Sequence, residues 1–84
     1  SGLKAEASRL EKELAKLGEA QAANEAALAD PAIYLQDAKD ELLKRLEAGR
    51  QLAAKISAAE EAWLEAAERY ESAVAAEASE DEPA

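Results

Sequence analysis

Cysteine, histidine, phenylalanine and methionine are all missing from this sequence of 84 residues. The lack of cysteine and histidine excludes disulfides, zinc fingers, most transition-metal sites and any nucleophile that depends on a Cys–His pair. Glycine is scarce, and neither Gly18 nor Gly49 begins a phosphate-binding loop. Every apolar run is far shorter than a membrane span. These absences predict a soluble chain that is not an enzyme and that holds no metal or cofactor.

Alanine, glutamate, leucine, lysine and arginine dominate instead, which is the composition of long helices and coiled coils. Pro31 is the single proline before Pro83, so the helical sequence has one internal break. We expect an all-α fold in one small domain over residues 3–77. Ser1-Gly2 is interpreted as a remnant of an expression vector, and residues 78–84 as a flexible acidic tail. The chain is expected to be a segment of a longer protein.

The first half of the chain carries apolar residues in alternating steps of three and four. This spacing predicts the a/d seam of a coiled coil over nearly four heptads, with leucines at its start and polar residues near its end. The seam residues are Leu3, Ala7, Leu10, Leu14, Leu17, Gln21, Asn24 and Leu28. The predicted helix covers residues 3–29 and ends there because Pro31 disfavours a helical conformation at Asp30.

A short turn is predicted over residues 30–37. Asp30 suits the N-cap of one new turn of helix, and Pro31 suits its first position. We expect Ile33 and Tyr34 to fold back and cover the end of the first seam. Asp37 is expected to cap the second helix.

The second half of the chain carries another seam and predicts a helix over residues 38–77. The steps are again four and three. The predicted seam residues are Leu42, Leu46, Gly49, Ala53, Ile56, Glu60, Trp63, Ala67, Tyr70 and Val74, with Leu43, Leu52 and Leu64 flanking them.

Two seams joined by a short turn must pair antiparallel, since parallel pairing needs a long crossover. The predicted fold is therefore an antiparallel two-helix coiled-coil hairpin. Its pairing brings Leu10 close to Trp63 and places Gly49 opposite Gln21 and Asn24. We expect a monomer in solution.

Polar and aromatic residues in the seams allow two interpretations each. Gln21, Asn24 and Glu60 could form a recognition patch, but polar seam residues more often set the register of a coiled coil. Trp63, with Leu64 and Tyr70, could bind a partner, but an aromatic at seam spacing is more often a core residue. Two helices cannot enclose an indole completely, so its free edge could still dock on another domain.

The charge is unevenly distributed over a chain whose net charge is −9. Residues 60–84 contain nine acids and one base, whereas residues 38–55 contain five bases and three acids. The five bases, which could contact the phosphates of a nucleic acid, are Lys39, Lys44, Arg45, Arg50 and Lys55. The alternative is a solvated face with pairs such as Glu41–Arg45. From charge alone this alternative is favoured, because the whole chain is acidic.

Three ordered stretches carry a family resemblance: Ala29–Tyr34 (Ala-Asp-Pro-Ala-Ile-Tyr), Ala38–Leu42 (Ala-Lys-Asp-Glu-Leu) and Glu60–Glu65 (Glu-Glu-Ala-Trp-Leu-Glu). Together they resemble the C-terminal coiled-coil domain of ABC-F ATPases. The resemblance covers roughly residues 6–74. Arg9–Leu14 also fits, but its sequence is common in coiled coils.

The resemblance implies a hairpin appended after the second ATPase domain of a cytoplasmic protein that acts on ribosomes. The C-terminal domain of some members is implicated in binding nucleic acid. The implied partners are ribosomal RNA or another nucleic acid and the ATPase domains of the parent. ATP and Mg would belong to the parent, since no ATP-binding residue is present in this chain.

The acidic distal half of the chain departs from what nucleic-acid binding would favour. We therefore expect any such contact at the turn end, through the five bases given above. The alternative function is that of a structural or protein-binding coiled coil, which docks through Trp63 or self-associates along its seam as a weak dimer.

Overall fold

A computed structural model of the chain describes residues 2–80. It contains helix α1 (Gly2–Ala29), two short 3₁₀ helices (Pro31–Tyr34 and Gln36–Ala38) and helix α2 (Lys39–Glu80). No strand occurs among the described residues, and the two α-helices pack against each other as a hairpin. The predicted all-α hairpin is therefore confirmed.

The two helices differ in length, although they are packed side by side. With a rise of 1.5 Å per residue, the 28 residues of α1 extend about 42 Å and the 42 residues of α2 about 63 Å. In residues 2–80, neither helix has an apolar stretch long enough to cross a membrane.

The turn forms because Asp30 and Pro31 end one helix and begin a tighter one. Asp30 is extended (φ −71°, ψ 120°), and its Oδ1 accepts a hydrogen bond from the backbone amide of Ala32 at 3.0 Å. Pro31 is the first residue of the 3₁₀ helix, where its missing amide proton costs nothing. Ile33 points inward and is 7% exposed. Ile33 thus covers the end of the seam.

Tyr34 does not cover the seam with its ring, which corrects the prediction. The side chain is 61% exposed, and its hydroxyl donates a hydrogen bond to the carbonyl of Leu28 at 2.6 Å. This carbonyl lies in the last turn of α1, where no amide of the same helix is available to it. Tyr34 therefore caps the C-terminus of α1 from outside.

The start and end of α2 differ from the predicted bounds. Asp37 is not an N-cap, because it lies inside the second 3₁₀ helix (Gln36–Ala38), whose N-cap position is Leu35 and which α2 follows directly. At the other end the α-helix continues to Glu80, so residues 78–80 of the predicted tail are helical. Residues 81–84 of that tail, and Ser1 of the predicted remnant, lie outside the described residues.

The core seam of α1 has the predicted spacing. Leu10 (4% exposed) and Asn24 (4%) are buried, and the other predicted α1 seam residues are half-buried. These half-buried residues are Leu3, Ala7, Leu14, Leu17, Gln21 and Leu28.

The core seam of α2 follows the prediction at every second position and at Ala67, which is half-buried. Leu42, Gly49, Ile56, Trp63 and Tyr70 are half-buried as one set. The set that alternates with them lies one residue earlier than predicted and consists of Arg45, Leu52, Ala59 and Ala66.

Four of the five predicted members of that alternating set are exposed, and only Ala67 is half-buried. Leu46 is 41% exposed and Val74 is 45% exposed, and Ala53 and Glu60 are also exposed. The physical reason is that α1 can approach closely over the small side chain of Ala59, whereas burying the carboxylate of Glu60 would require an ion pair or hydrogen bonds.

Candidate nucleic-acid interface at the turn end

The five predicted contact bases all lie on the turn-proximal half of α2, but they do not share one face. At 100° per residue, Lys39 and Arg50 are about 20° apart around the helix axis. Lys44 and Lys55 are likewise about 20° apart, on a flank about 140° away from Lys39. Arg45 lies between the flanks, on the side that α1 covers. The structure thus separates the bases into two pairs and one seam residue.

Arg45 is the least available of the five. Its side chain is half-buried in the seam, and its Nε donates to Glu41 Oε1 at 2.9 Å. The aliphatic part of an arginine can cover apolar surface while the guanidinium stays in water. Arg45 therefore serves the hairpin as a seam residue and has its charge already partnered.

Arg50 is exposed but also engaged within its own helix. Its Nε and Nη2 both donate to Glu47 Oε2. The hydrogen bond from Arg50, and then its positive charge, hold the pKa of the Glu47 carboxyl below its ordinary value. A hydrogen bond from Gln51 adds to this effect. Exposed pairs of this kind are weak, so Arg50 can exchange Glu47 for another anion.

Lys39, Lys44 and Lys55 remain the available cations of the set. All three are exposed, and the structure shows no ion pair for them within residues 2–80. An anion could approach Lys39 from one flank of α2 and the other two lysines from the opposite flank.

Exposed apolar side chains at the turn were missed by the sequence reasoning. Tyr34 is 61% exposed and Leu35 is 60% exposed, next to the start of α2. The available signal was the tightness of the turn, because a 3₁₀ helix of four residues can point only one large side chain inward. Ile33 takes that position, so the two residues after it must face solvent.

Asn24 forms a polar contact inside the hairpin and is not part of an exposed recognition patch. Its Nδ2 donates to the backbone carbonyl of Arg45 at 2.9 Å. A β-carbon at Gly49 would come within 3.2 Å of the same nitrogen. Asn24 Oδ1 is buried and has no hydrogen-bond partner. A side chain at position 49 would therefore require the amide of Asn24 to shift by a few tenths of an ångström.

A shallow groove runs beside the tryptophan at the middle of the hairpin. Trp63 is half-buried, and its Nε1 donates to Glu11 Oε1 across the two helices at 3.1 Å. Leu14 and Leu64 form the apolar sides of the groove, and Glu60 lies at its edge. In residues 2–80, no three acidic side chains come close enough together to hold a metal ion. Because Leu14, Trp63 and Leu64 line it, the groove can accept an apolar side chain.

The sequence was compared with protein-family models, with curated proteins and with solved structures, and none of them matches it.

Proposed function

We propose that this chain is the non-catalytic C-terminal interaction arm of a cytoplasmic ABC-F-like ATPase, and that its turn end contacts ribosomal RNA or another nucleic acid. The arm itself binds and hydrolyses no ATP, and its other contacts are with the ATPase domains of the parent. The observation that carries the proposal is that Lys39, Lys44 and Lys55, on the turn-proximal half of α2, are exposed and have no ion pair within residues 2–80, and that the ring of Tyr34 in the turn is exposed as well.

The ordered motifs support the family part of the proposal. The Asp-Pro-x-x-Tyr stretch forms a turn in which each named residue has a role: Asp30 caps, Pro31 begins the 3₁₀ helix and Tyr34 binds the end of α1. A sequence that needs these three residues for one turn is more specific than a leucine heptad. The turn stretch therefore supports the resemblance more strongly than the seams do.

Charge and exposure support the contact with nucleic acid. Lys39, Lys44 and Lys55 can neutralise phosphates, and an exposed aromatic ring such as Tyr34 can stack on an unpaired base. Cations and a stacking surface together are typical of proteins that bind single strands or loops. The acidic half of α2 would repel the same polyanion and so direct it towards the turn.

Binding of the 84-residue chain to single-stranded RNA and to duplex DNA at several salt concentrations tests this proposal. Replacement of Lys39, Lys44 and Lys55 by alanine should weaken binding strongly. It should also lower the slope of log K against log salt by roughly 2 for single strands, since each phosphate contact contributes about 0.7.

Helix α1 provides a matched control with the same change in charge. Arg9, Lys12 and Lys16 lie away from the turn, and their replacement by alanine should leave the affinity within about twofold. Equal losses in both triple variants would show a non-specific charge effect. Unchanged affinity in the turn-end variant would refute the contact.

A second candidate function, binding of a protein helix, is favoured by a different observation. Leu43 (53% exposed), Leu46 (41%) and Leu64 (52%) are large apolar side chains on the outside of α2. A solvated arm has no need of three exposed leucines on one helix.

A further inference from the structure

The exposed leucines of α2 belong to a second heptad stripe, every member of which is exposed except the half-buried Ala67. It begins at Lys39 and proceeds in alternating steps of four and three to Val74. The stripe residues are Lys39, Leu43, Leu46, Arg50, Ala53, Ser57, Glu60, Leu64, Ala67, Glu71 and Val74. All four large apolar residues that are exposed on the described part of α2 lie on this stripe.

The second stripe faces a direction suited to another helix. It lies about 100° around α2 from the seam that packs on α1. In a four-helix bundle each helix contacts two neighbours at about a right angle, and this offset provides both contacts. Two residues of the stripe, Glu60 and Leu64, line the groove beside Trp63.

The order of the residues along the stripe identifies what covers it. Basic residues lie towards the turn (Lys39 and Arg50), and acidic residues lie towards the distal end (Glu60 and Glu71). A parallel copy of α2 would place like charges opposite each other. An antiparallel copy places each basic residue opposite an acidic one.

We propose that the stripe is the interface of an antiparallel two-fold dimer in which α2 of one chain packs on α2 of a second copy, to give a four-helix bundle. With the two-fold axis beside residue 55, Arg50 pairs with Glu60 and Lys39 pairs with Glu71. Leu46 then packs on Leu64. Each contact occurs twice, because the two-fold axis repeats it.

The same register matches size as well as charge. Leu43 lies opposite Ala67, and Ala53 lies opposite Ser57, so small residues at the centre allow the two helices to approach closely. Leu46 of one copy enters the groove beside Trp63 in the other, where an apolar side chain fits. Charge, volume and groove therefore agree on one register.

Registers shifted by one heptad lose these matches. A shift in one direction places Leu46 opposite Glu71 and leaves Arg50 opposite Ala67. A shift in the other direction places Leu43 opposite Glu60. Both shifted registers bury a carboxylate against leucine, which is unfavourable.

The dimer would also divide the bases of the turn end into buried and accessible pairs. Lys39 and Arg50 lie on the dimer stripe, whereas Lys44 and Lys55 lie on the opposite flank of α2 and stay accessible. Lys39 is common to the two proposals, so replacement of Lys44 and Lys55 alone tests the contact with nucleic acid and leaves the dimer stripe unchanged, and the two proposals can fail separately.

Charge reversal tests the dimer by sedimentation equilibrium of the 84-residue chain. Arg50→Glu and Glu60→Arg should each raise the dimer dissociation constant by at least about tenfold, because each creates two like-charge contacts per dimer. An equimolar mixture of the two variants should dimerise like the unchanged chain, since the carboxylate introduced at position 50 of one chain then faces the guanidinium introduced at position 60 of the other. The double variant should also recover dimerisation.

Two control variants carry the same charge changes away from the stripe. Lys55→Glu and Glu65→Arg should leave the dissociation constant within about threefold, alone or mixed. Circular dichroism of each variant checks that the helices remain. A chain that stays monomeric at millimolar concentration, a mixture that fails to recover, or controls that weaken the dimer equally would each overturn the proposal.

Cysteine cross-linking then reports the register of the dimer. Only the introduced cysteines can react, because the chain has no cysteine of its own. A chain with Ala53→Cys should form disulfides fastest with a chain carrying Ser57→Cys. Faster cross-linking of Ala53→Cys with Leu64→Cys, or of Leu46→Cys with Ser57→Cys, would indicate a shifted heptad and refute the charge pairing.

Discussion

Replacement of Gly49 by alanine tests the buried contact between the two helices. Alanine in a helix interior is more favourable than glycine by about 0.8–1.0 kcal/mol. At Gly49, however, the added methyl group would lie 3.2 Å from Asn24 Nδ2, closer than ordinary packing allows. The amide must then shift by a few tenths of an ångström, which strains the hydrogen bond that it donates to the carbonyl of Arg45 at 2.9 Å. The hydrogen bond is worth about 1 kcal/mol, which is the most that this strain can cost.

The two effects oppose each other, so we expect Gly49→Ala to change the free energy of unfolding by less than about 0.5 kcal/mol. Gly18 is the matched control, because it is also helical and a β-carbon there meets no atom within 4 Å. Gly18→Ala should raise the free energy of unfolding by the full value of about 0.8–1.0 kcal/mol. For a domain of this size, that difference is about 4–8 °C in Tm.

Urea and thermal denaturation followed by circular dichroism measure these changes, at a concentration where the chain is monomeric. In an Asn24→Ala background the obstacle is gone, and Gly49→Ala should become as stabilising as Gly18→Ala. The double-mutant cycle should give a coupling energy of about 1 kcal/mol. Equal stabilisation by both glycine replacements in the unchanged chain, with no coupling, would refute the contact between Asn24 and Gly49.

The remaining predictions concern single side chains, each checked by urea denaturation. Leu10→Ala should lower the free energy of unfolding by about 2–3 kcal/mol, whereas Leu35→Ala should change it by less than about 0.5; equal effects would contradict the assigned core. Asp30→Ala should cost about 1 kcal/mol, because it removes the cap of the first 3₁₀ helix. Tyr34→Phe should cost about 0.5–1 kcal/mol through the lost bond to α1, and no loss would show that water replaces it. Since the folded pKa of Glu47 is lowered, its contribution is present at neutral pH and lost in acid, so Glu47→Gln should destabilise at pH 7 and match the unchanged chain well below pH 4.5.

Local signals predicted the helices, the turn and their pairing. The three-and-four spacing of leucines depends only on helix geometry, and the break at Pro31 depends only on the backbone of proline. A turn this short leaves antiparallel packing as the only arrangement. These features need no knowledge of distant contacts, which explains why the sequence was sufficient for them.

The buried seam of α2 was harder to predict from the sequence, because this helix carries two overlapping heptad stripes. Leu46 and Leu52 are both leucines and both fit a heptad, but α1 covers only Leu52. The choice depends on the small residues Ala59 and Ala66, over which α1 can approach, and on leaving Glu60 in water. A pattern within one helix contains no information about which stripe its neighbour selects.

At the candidate site, too, the sequence predicted some features and only the structure showed the others. The sequence located five bases near the turn, but the spacing of Lys39 and Lys44 around the helix separates them onto two flanks, and Arg45 is drawn into the seam. The exposure of Tyr34 was unexpected because a tyrosine after an isoleucine suggests a second core residue. Its hydroxyl instead satisfies the end of α1.

By itself, the sequence determined that the chain is helical, that it reverses at Pro31 and that the acidic and basic ends of α2 are distinct, since these follow from local spacing, backbone chemistry and counted charges. Only the tertiary structure decided which stripe of α2 is buried, because that depends on how closely α1 can approach over alanine. The leucines left outside by that choice define the surface that a second helix can cover.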